Sequence, residues 1–225
     1  MGRWLLPGAF AVVTVTTAEV TVQAIIHAID HPGTRAALLA SYHLLRTAIV
    51  LAFTVFTVNR DEPHARARRP LALGACVVAM GCVFSFGAPV HSSPWLALAG
   101  EVIATVSCVW LLASVLALGR CFGVLPEARG LVTRGPYRLV RHPVYLGELG
   151  ACCGLAVTSP TVMNGALLAV LAAAQVVRMG LEERALTRAF PDYASYAART
   201  PRLLPRLGLP GVAGPSPQLA RNAGT

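Results

Sequence analysis

Arg134-Gly-Pro-Tyr-Arg-Leu-Val-Arg141-His142-Pro143-Val-Tyr145-Leu-Gly147, followed by an apolar hairpin and then by Leu181-Glu182-Glu183-Arg184, decides how this chain reads. Between the two polar stretches nearly every residue is apolar. Ionisable side chains therefore flank hydrocarbon-forming sequence, where such groups are costly and mark function by default. The pattern points to a bound, charged small molecule.

Composition supports a membrane setting. The 225 residues are 55% hydrophobic and 13% charged, with mean hydropathy +0.61, against about 25% charged residues in a soluble domain. A net charge of +9 could suggest nucleic acid, yet every basic residue is Arg and most lie in loops between apolar segments. No nucleic-acid partner is expected, and the chain reads as an all-α integral membrane protein.

Runs able to cross about 30 Å of hydrocarbon fall at residues 4–29, 36–58, 71–90 and 94–118. Two shorter runs follow at 145–158 and 161–177. Asp30-His-Pro-Gly33, Asn59-Arg-Asp-Glu-Pro, His91-Ser-Ser-Pro94 and Ser159-Pro160 punctuate them. About six segments put both termini on one side. Arg60, Arg66, Arg68 and Arg69, then Arg120, Arg129, Arg134, Arg138 and Arg141, then Arg184, Arg188, Arg199, Arg202 and Arg206 share one side, against Arg35 on the other. The positive-inside rule makes that side, with both termini and the polar motifs, cytoplasmic. The Ala- and Arg-rich usage suggests a bacterial inner membrane. Arg3 precedes the first apolar run, which is too long for an ordinary signal core and lacks a small-residue cleavage site.

Six cysteines show no zinc spacing, and no metal is expected. Cys76, Cys82, Cys108, Cys121, Cys152 and Cys153 read as small apolar side chains. Residues 207–225, rich in Pro, Gly and Ala, read as a disordered tail.

Pro143 suits the first turn of a helix, where its missing N–H costs nothing. The fifth segment should therefore begin near His142 and end at Ser159-Pro160. His142 lies 18 residues before Pro160 and Glu182 lies 22 after it, so at 1.5 Å per residue their heights differ by only about 6 Å. The two motifs should face each other at the membrane rim. The competing reading is a plain stop-transfer border, with Tyr137 and Tyr145 in an aromatic belt.

Leu131 to Gly147, the distal Leu181-Glu182-Glu183-Arg184 and the terminal Tyr193-Ala-Ser-Tyr196-Ala-Ala-Arg-Thr-Pro201-Arg-Leu-Leu204-Pro205 together resemble the isoprenylcysteine carboxyl methyltransferase family. That family belongs to a group of small membrane methyltransferases that also contains phospholipid N-methyltransferases. The likeness implies residues 1–114 as substrate-side membrane helices and residues 115–206 as a methyltransferase core. The last two membrane segments are expected to form a short hairpin, with a cytoplasmic C-terminal helix beyond. S-adenosyl-L-methionine would bind this core without a Rossmann domain, and no strand followed by a Gly-x-Gly-x-x-Gly turn occurs. Carried over, Gly135, Tyr137, His142, Pro143, Tyr145 and Gly147 would shape one wall of the cofactor pocket and Glu182 and Glu183 the other. Leu146 would offer backbone groups to the adenine.

The cofactor's chemistry gives these residues work. Its cations and hydroxyls call for carboxylates, its carboxylate for donors, and its adenine for an apolar or aromatic slot. Glu182 or Glu183 can accept, Arg141 or Arg184 can fork onto a carboxylate, and His142 can donate or act as a base. Gly147 would let the cofactor approach the backbone. Arg178, one turn before Glu182, can orient an anionic substrate. Arg178, Glu182, Arg184 and His142 are therefore the catalytic candidates. Glu19, Gln23 and His27 share a face of the first segment, and Arg46 is expected to pair with Glu19 or Glu101. The favoured activity is carboxyl O-methylation of a prenylated or lipid-like small molecule or peptide, in contact with membrane lipids. Thiol S-methylation and phospholipid N-methylation stay open, whereas a transporter lacks the expected inverted repeats.

Overall fold

Proline, glycine and charge break the apolar sequence into helices in the computed structural model, which describes residues 5–66, 69–86 and 93–205. These are α1 (Leu5–Asp30), α2 (Thr34–Asn59), α3 (Arg69–Ser85), α4 (Pro94–Leu118), α5 (Pro143–Thr158), α6 (Val162–Ala189) and α7 (Tyr193–Arg199). Strands β1 (Ala65–Arg66) and β2 (Glu127–Ala128) add a two-residue antiparallel ladder that pairs Ala65 with Ala128 and Arg66 with Glu127. The chain is an all-α integral membrane protein. Four stretches are long and apolar enough to cross a membrane: Pro7–Asp30, Thr34–Asn59, Pro94–Cys121 and Val162–Ala189.

Two expected segments change length. The third run, expected over 71–90, is helical only to Ser85 and is 17 residues long, or about 25 Å. Its expected end lies outside the described residues, as do Arg3, Arg68, His91, Arg206 and the tail 207–225. The sixth run, expected to be short at 161–177, becomes the longest helix among the described residues and continues to Ala189. Arg178, Glu182 and Glu183 do not stop it, because they are good helix formers and each finds partners on neighbouring elements.

The hairpin begins and turns where the sequence places it. Pro143 occupies the first turn of α5 with His142 as the N-cap residue, and the backbone N–H of Asn164 donates to Thr161 Oγ1 to cap α6. Helix α5 lies against α4 at backbone contact. A Cβ on Gly147 would stand 2.8 Å from Leu111 Cβ, and one on Gly154 would stand 2.5 Å from the backbone nitrogen of Ala104. Small residues let two apolar helices approach this closely, the usual basis of helix association in lipid.

Close packing runs from α1 to α2, α2 to α4, α4 to α5, α5 to α6 and α6 to α3. The helices thus form an open arc whose ends are α1 and α3. Helix α4 spans residue 114 and packs on both sides of it. At the arginine-rich end, the loop between α4 and α5 folds over the arc. Buried Arg129 donates to Glu127 and to the Asp61 carbonyl, and Arg120 pairs with Asp61 at 2.9 Å.

Candidate active site

A cavity of about 900 Å³ fills the concave side of the arc. His142, Tyr145, Arg178 and Glu182 line it together, as do Tyr137 and Arg141. The rise along the two hairpin arms brings the motifs level, and the side chains meet. The Tyr145 hydroxyl donates to Glu182 Oε2 at 2.7 Å, and the buried His142 ring places Nε2 3.0 Å from Glu183 Oε1. The His142 and Tyr145 rings stack with centroids 5.4 Å apart.

The adjacent glutamates differ sharply in surroundings. Glu183 is gripped from three directions: Arg202 forks onto it at 3.0 and 2.6 Å, Arg141 Nη1 lies 3.0 Å away, and His142 completes the set. It is absent from the cavity wall. Glu182 faces the cavity, with its side chain 28% exposed, and His142 Nδ1 lies 3.8 Å from Oε2. No described residue donates to its Oε1. One carboxylate is saturated by the protein, and its neighbour is open toward the cavity.

Deeper in the wall, Arg178 Cζ lies 4.7 Å from the centroid of the Tyr145 ring. Its guanidinium donates to Gln175 Oε1 at 3.0 Å and to the Val124 carbonyl at 3.3 Å, and it lies 3.6 Å from Glu148. Gln175, fully buried, donates in turn to Glu148. Sequence reasoning missed Glu148 and Gln175. A signal was present: Gln175 precedes Arg178 by three residues and Glu148 follows Tyr145 by three, so each pair shares a helix face.

Several expected wall residues lie elsewhere. Arg184 is exposed and does not line the cavity, because two residues beyond Glu182 is about 200° around the helix. Gly147 faces Leu111 on α4, so the close approach it permits is between helices. The Leu146 N–H is spent on the His142 carbonyl at 3.1 Å, and neither Leu146 nor Pro143 lines the cavity. The Pro143 carbonyl accepts from Trp110 Nε1 at 3.0 Å. Gly135, with φ of 59°, makes the turn that aims Tyr137 inward; only a residue tolerating the left-handed region serves there. Arg46 pairs with neither Glu19 nor Glu101. Glu19 is exposed on α1, and Glu101 is held by Arg35 at 2.9 Å.

The C-terminal segment closes the rim. The Pro201 and Arg202 carbonyls accept from the backbone N–H groups of Arg141 and His142 at 2.8 and 3.1 Å. From α7, the Tyr196 hydroxyl donates to the Tyr137 carbonyl at 2.7 Å. Burial pushes the Tyr196 phenol up to about 12 and raises that of Tyr137 well above its ordinary value, so both stay protonated donors. Among the described residues no group of three or more His, Cys, Asp and Glu side chains is placed to hold a metal ion.

Comparison with known proteins agrees with the resemblance carried by the motifs. A family described as phospholipid methyltransferase matches residues 91–193, and that family belongs to the isoprenylcysteine carboxyl methyltransferase-like group. The resemblance carried by the motifs therefore holds, and the match starts within the residues first assigned to the substrate side. The chain is 38% identical over 117 residues to the cobalt-zinc-cadmium resistance protein CzcN of Cupriavidus metallidurans, covering 51% of this chain and 50% of that protein. It is 34% identical over 113 residues to the nickel-cobalt-cadmium resistance protein NccN of Alcaligenes xylosoxydans xylosoxydans, covering 49% and 48%. The chain thus spans about half the length of the curated relatives it matches.

Proposed function

We propose that this chain is an S-adenosylmethionine-dependent methyltransferase that methylates the carboxylate of a prenylated or lipid-like acid at the cytoplasmic face of a bacterial inner membrane. One observation carries the reading: a single cavity joins the open Glu182 carboxylate, Tyr145 and Arg178 to apolar walls. Its volume lies near the top of the range of roughly 300–1,000 Å³ for ligand sites, which leaves room for a cofactor and an acceptor together.

The residues present fit the cofactor. Bound there, S-adenosylmethionine supplies an electrophilic methyl group on a sulfonium. Glu182 offers its open oxygen to an ammonium or a ribose hydroxyl. Arg141, whose buried Nε has no partner, is the donor suited to a carboxylate. Leu186, Tyr193 and Tyr196 line the rim and suit an adenine ring. Glu183 positions this wall by fixing His142, Arg141 and the C-terminal segment. Arg178, held over the Tyr145 ring and braced by Gln175 and Glu148, orients the acceptor anion. A carboxylate is already a nucleophile and needs no general base, while the apolar walls strip water from it. His142, engaged with Glu183, is a positioning residue.

Incubating the purified protein with methyl-labelled S-adenosylmethionine and a bacterial lipid extract tests this. Labelled product that releases volatile methanol in base is expected. Label that resists base would move the reading to N- or S-methylation, and no transfer to any lipid fraction would contradict methyl transfer altogether.

A further inference from the structure

Arg46 stands near the middle of α2, 12 residues from Thr34 and 13 from Asn59, about 18 Å from either end. A guanidinium at that depth is expensive unless a partner meets it. The other arginines that line the cavity within the membrane helices have carboxylates: Arg35 has Glu101 at 2.9 Å and Arg178 has Glu148 at 3.6 Å. No Asp or Glu among the described residues lies within 4.0 Å of Arg46. Its Nε is buried without a hydrogen-bond partner, and so is Nδ1 of the adjacent His43. The Tyr42 side chain lies near the guanidinium, and its ring meets that of His43 with centroids 5.3 Å apart. All three side chains line the same cavity as Glu182.

A cation with a spare donor, beside an imidazole and a phenol, is complementary to an oxyanion. The surrounding wall is apolar, with Ile49, Phe53 and Cys108 close by, so the anion must arrive on a hydrophobic molecule. We propose that Arg46, with Tyr42 and His43, is an anion-binding pole of the cavity that takes the oxyanion of a lipid-like ligand. A neutral alkyl or prenyl chain laid through the cavity would leave the Arg46 charge uncompensated. The inference rests on the methyltransferase reading only in identifying that ligand as the methyl acceptor, which then carries this oxyanion apart from the reacting carboxylate that Arg178 orients. Helices α1 and α3, the two ends of the arc, both line the cavity.

Binding to the 225-residue chain in a neutral maltoside detergent tests the pole, with three probes: a C15 isoprenoid carboxylic acid, the C15 isoprenoid alcohol, and dioleoyl phosphatidic acid. The parent should bind at least one of the two anions ten times or more tighter than the alcohol. In Arg46→Gln that preference should vanish, and Arg46→Lys should keep part of it. Which anion is preferred tells a carboxylate source from a phosphate source. The thermal midpoint in the same detergent checks the folding of each variant, and the parent is titrated with S-adenosylhomocysteine; if Arg46→Gln fails the folding check, Arg46→Lys and the parent's own selectivity decide. Equal affinity of the parent for alcohol and anions, or undiminished preference in folded Arg46→Gln, would overturn the proposal. An anion preference that needs Arg46, in a parent that does not bind S-adenosylhomocysteine, would keep the pole and remove the methyltransferase reading.

Discussion

Helix α5 presents opposite characters on its two sides. Toward α4 it offers Gly147, Gly150 and Gly154, where an added carbon would meet Leu111, Ser107 or the backbone of Ala104. Toward the cavity it offers Tyr145 and Glu148, tied to α6 through Glu182, Gln175 and Arg178. The first side leaves no space and no charged group; the second keeps charged groups with one carboxylate oxygen open. A membrane protein can hold charge within a bilayer when the scaffold beside that charge is fixed by contacts that tolerate no change. The pair Glu182 and Glu183 repeats the contrast at residue scale, one open and one saturated.

The contrast can be broken from either side. Gly154→Leu should have the largest effect, because backbone atoms of Ala104 and Gly100 cannot move aside. Overpacking typically costs about 1–3 kcal/mol and more against backbone, so the variant should fail to give monodisperse protein on size-exclusion chromatography. Glu183→Gln comes next. It leaves Arg141, His142 and Arg202 sharing a neutral partner, at a cost of about 1–3 kcal/mol, with the partial exposure of Arg202 holding the figure down. A lower thermal midpoint in detergent would show it. Tyr196→Phe removes one bond to the Tyr137 carbonyl and should cost about 1 kcal/mol, read as faster proteolysis of the C-terminal segment. Arg184→Ala should change neither midpoint nor cofactor affinity, staying within about 0.5 kcal/mol. A large effect there would mean that Arg184 takes part in the site after all.

The sequence made the hairpin legible because two strong local rules agree there. Pro143 starts a helix and Ser159-Pro160 ends one, and simple rise arithmetic then levels His142 with Glu182 and Glu183. Helix phase was not legible in the same way. Arg184 adjoins Glu183 in sequence yet lies on the far side of α6, and the role of Gly147 depends on which helix stands beside it. Glu148 and Gln175 hid in apolar runs, since a lone polar residue there reads as noise until its partner on the next helix is known. Arg46 was expected to find a carboxylate. Arg35, the second residue of α2, takes Glu101 instead, and Glu19 faces outward.

The most direct test of the account is calorimetric titration of the purified protein with S-adenosylhomocysteine, comparing the parent with Glu182→Gln, whose amide can still accept from Tyr145. Saturable binding by the parent, weakened at least tenfold in a variant of unchanged thermal midpoint, is the expected result. Undiminished binding by Glu182→Gln, or none by folded parent in detergent and in nanodiscs, would contradict the assignment of the open carboxylate to the cofactor.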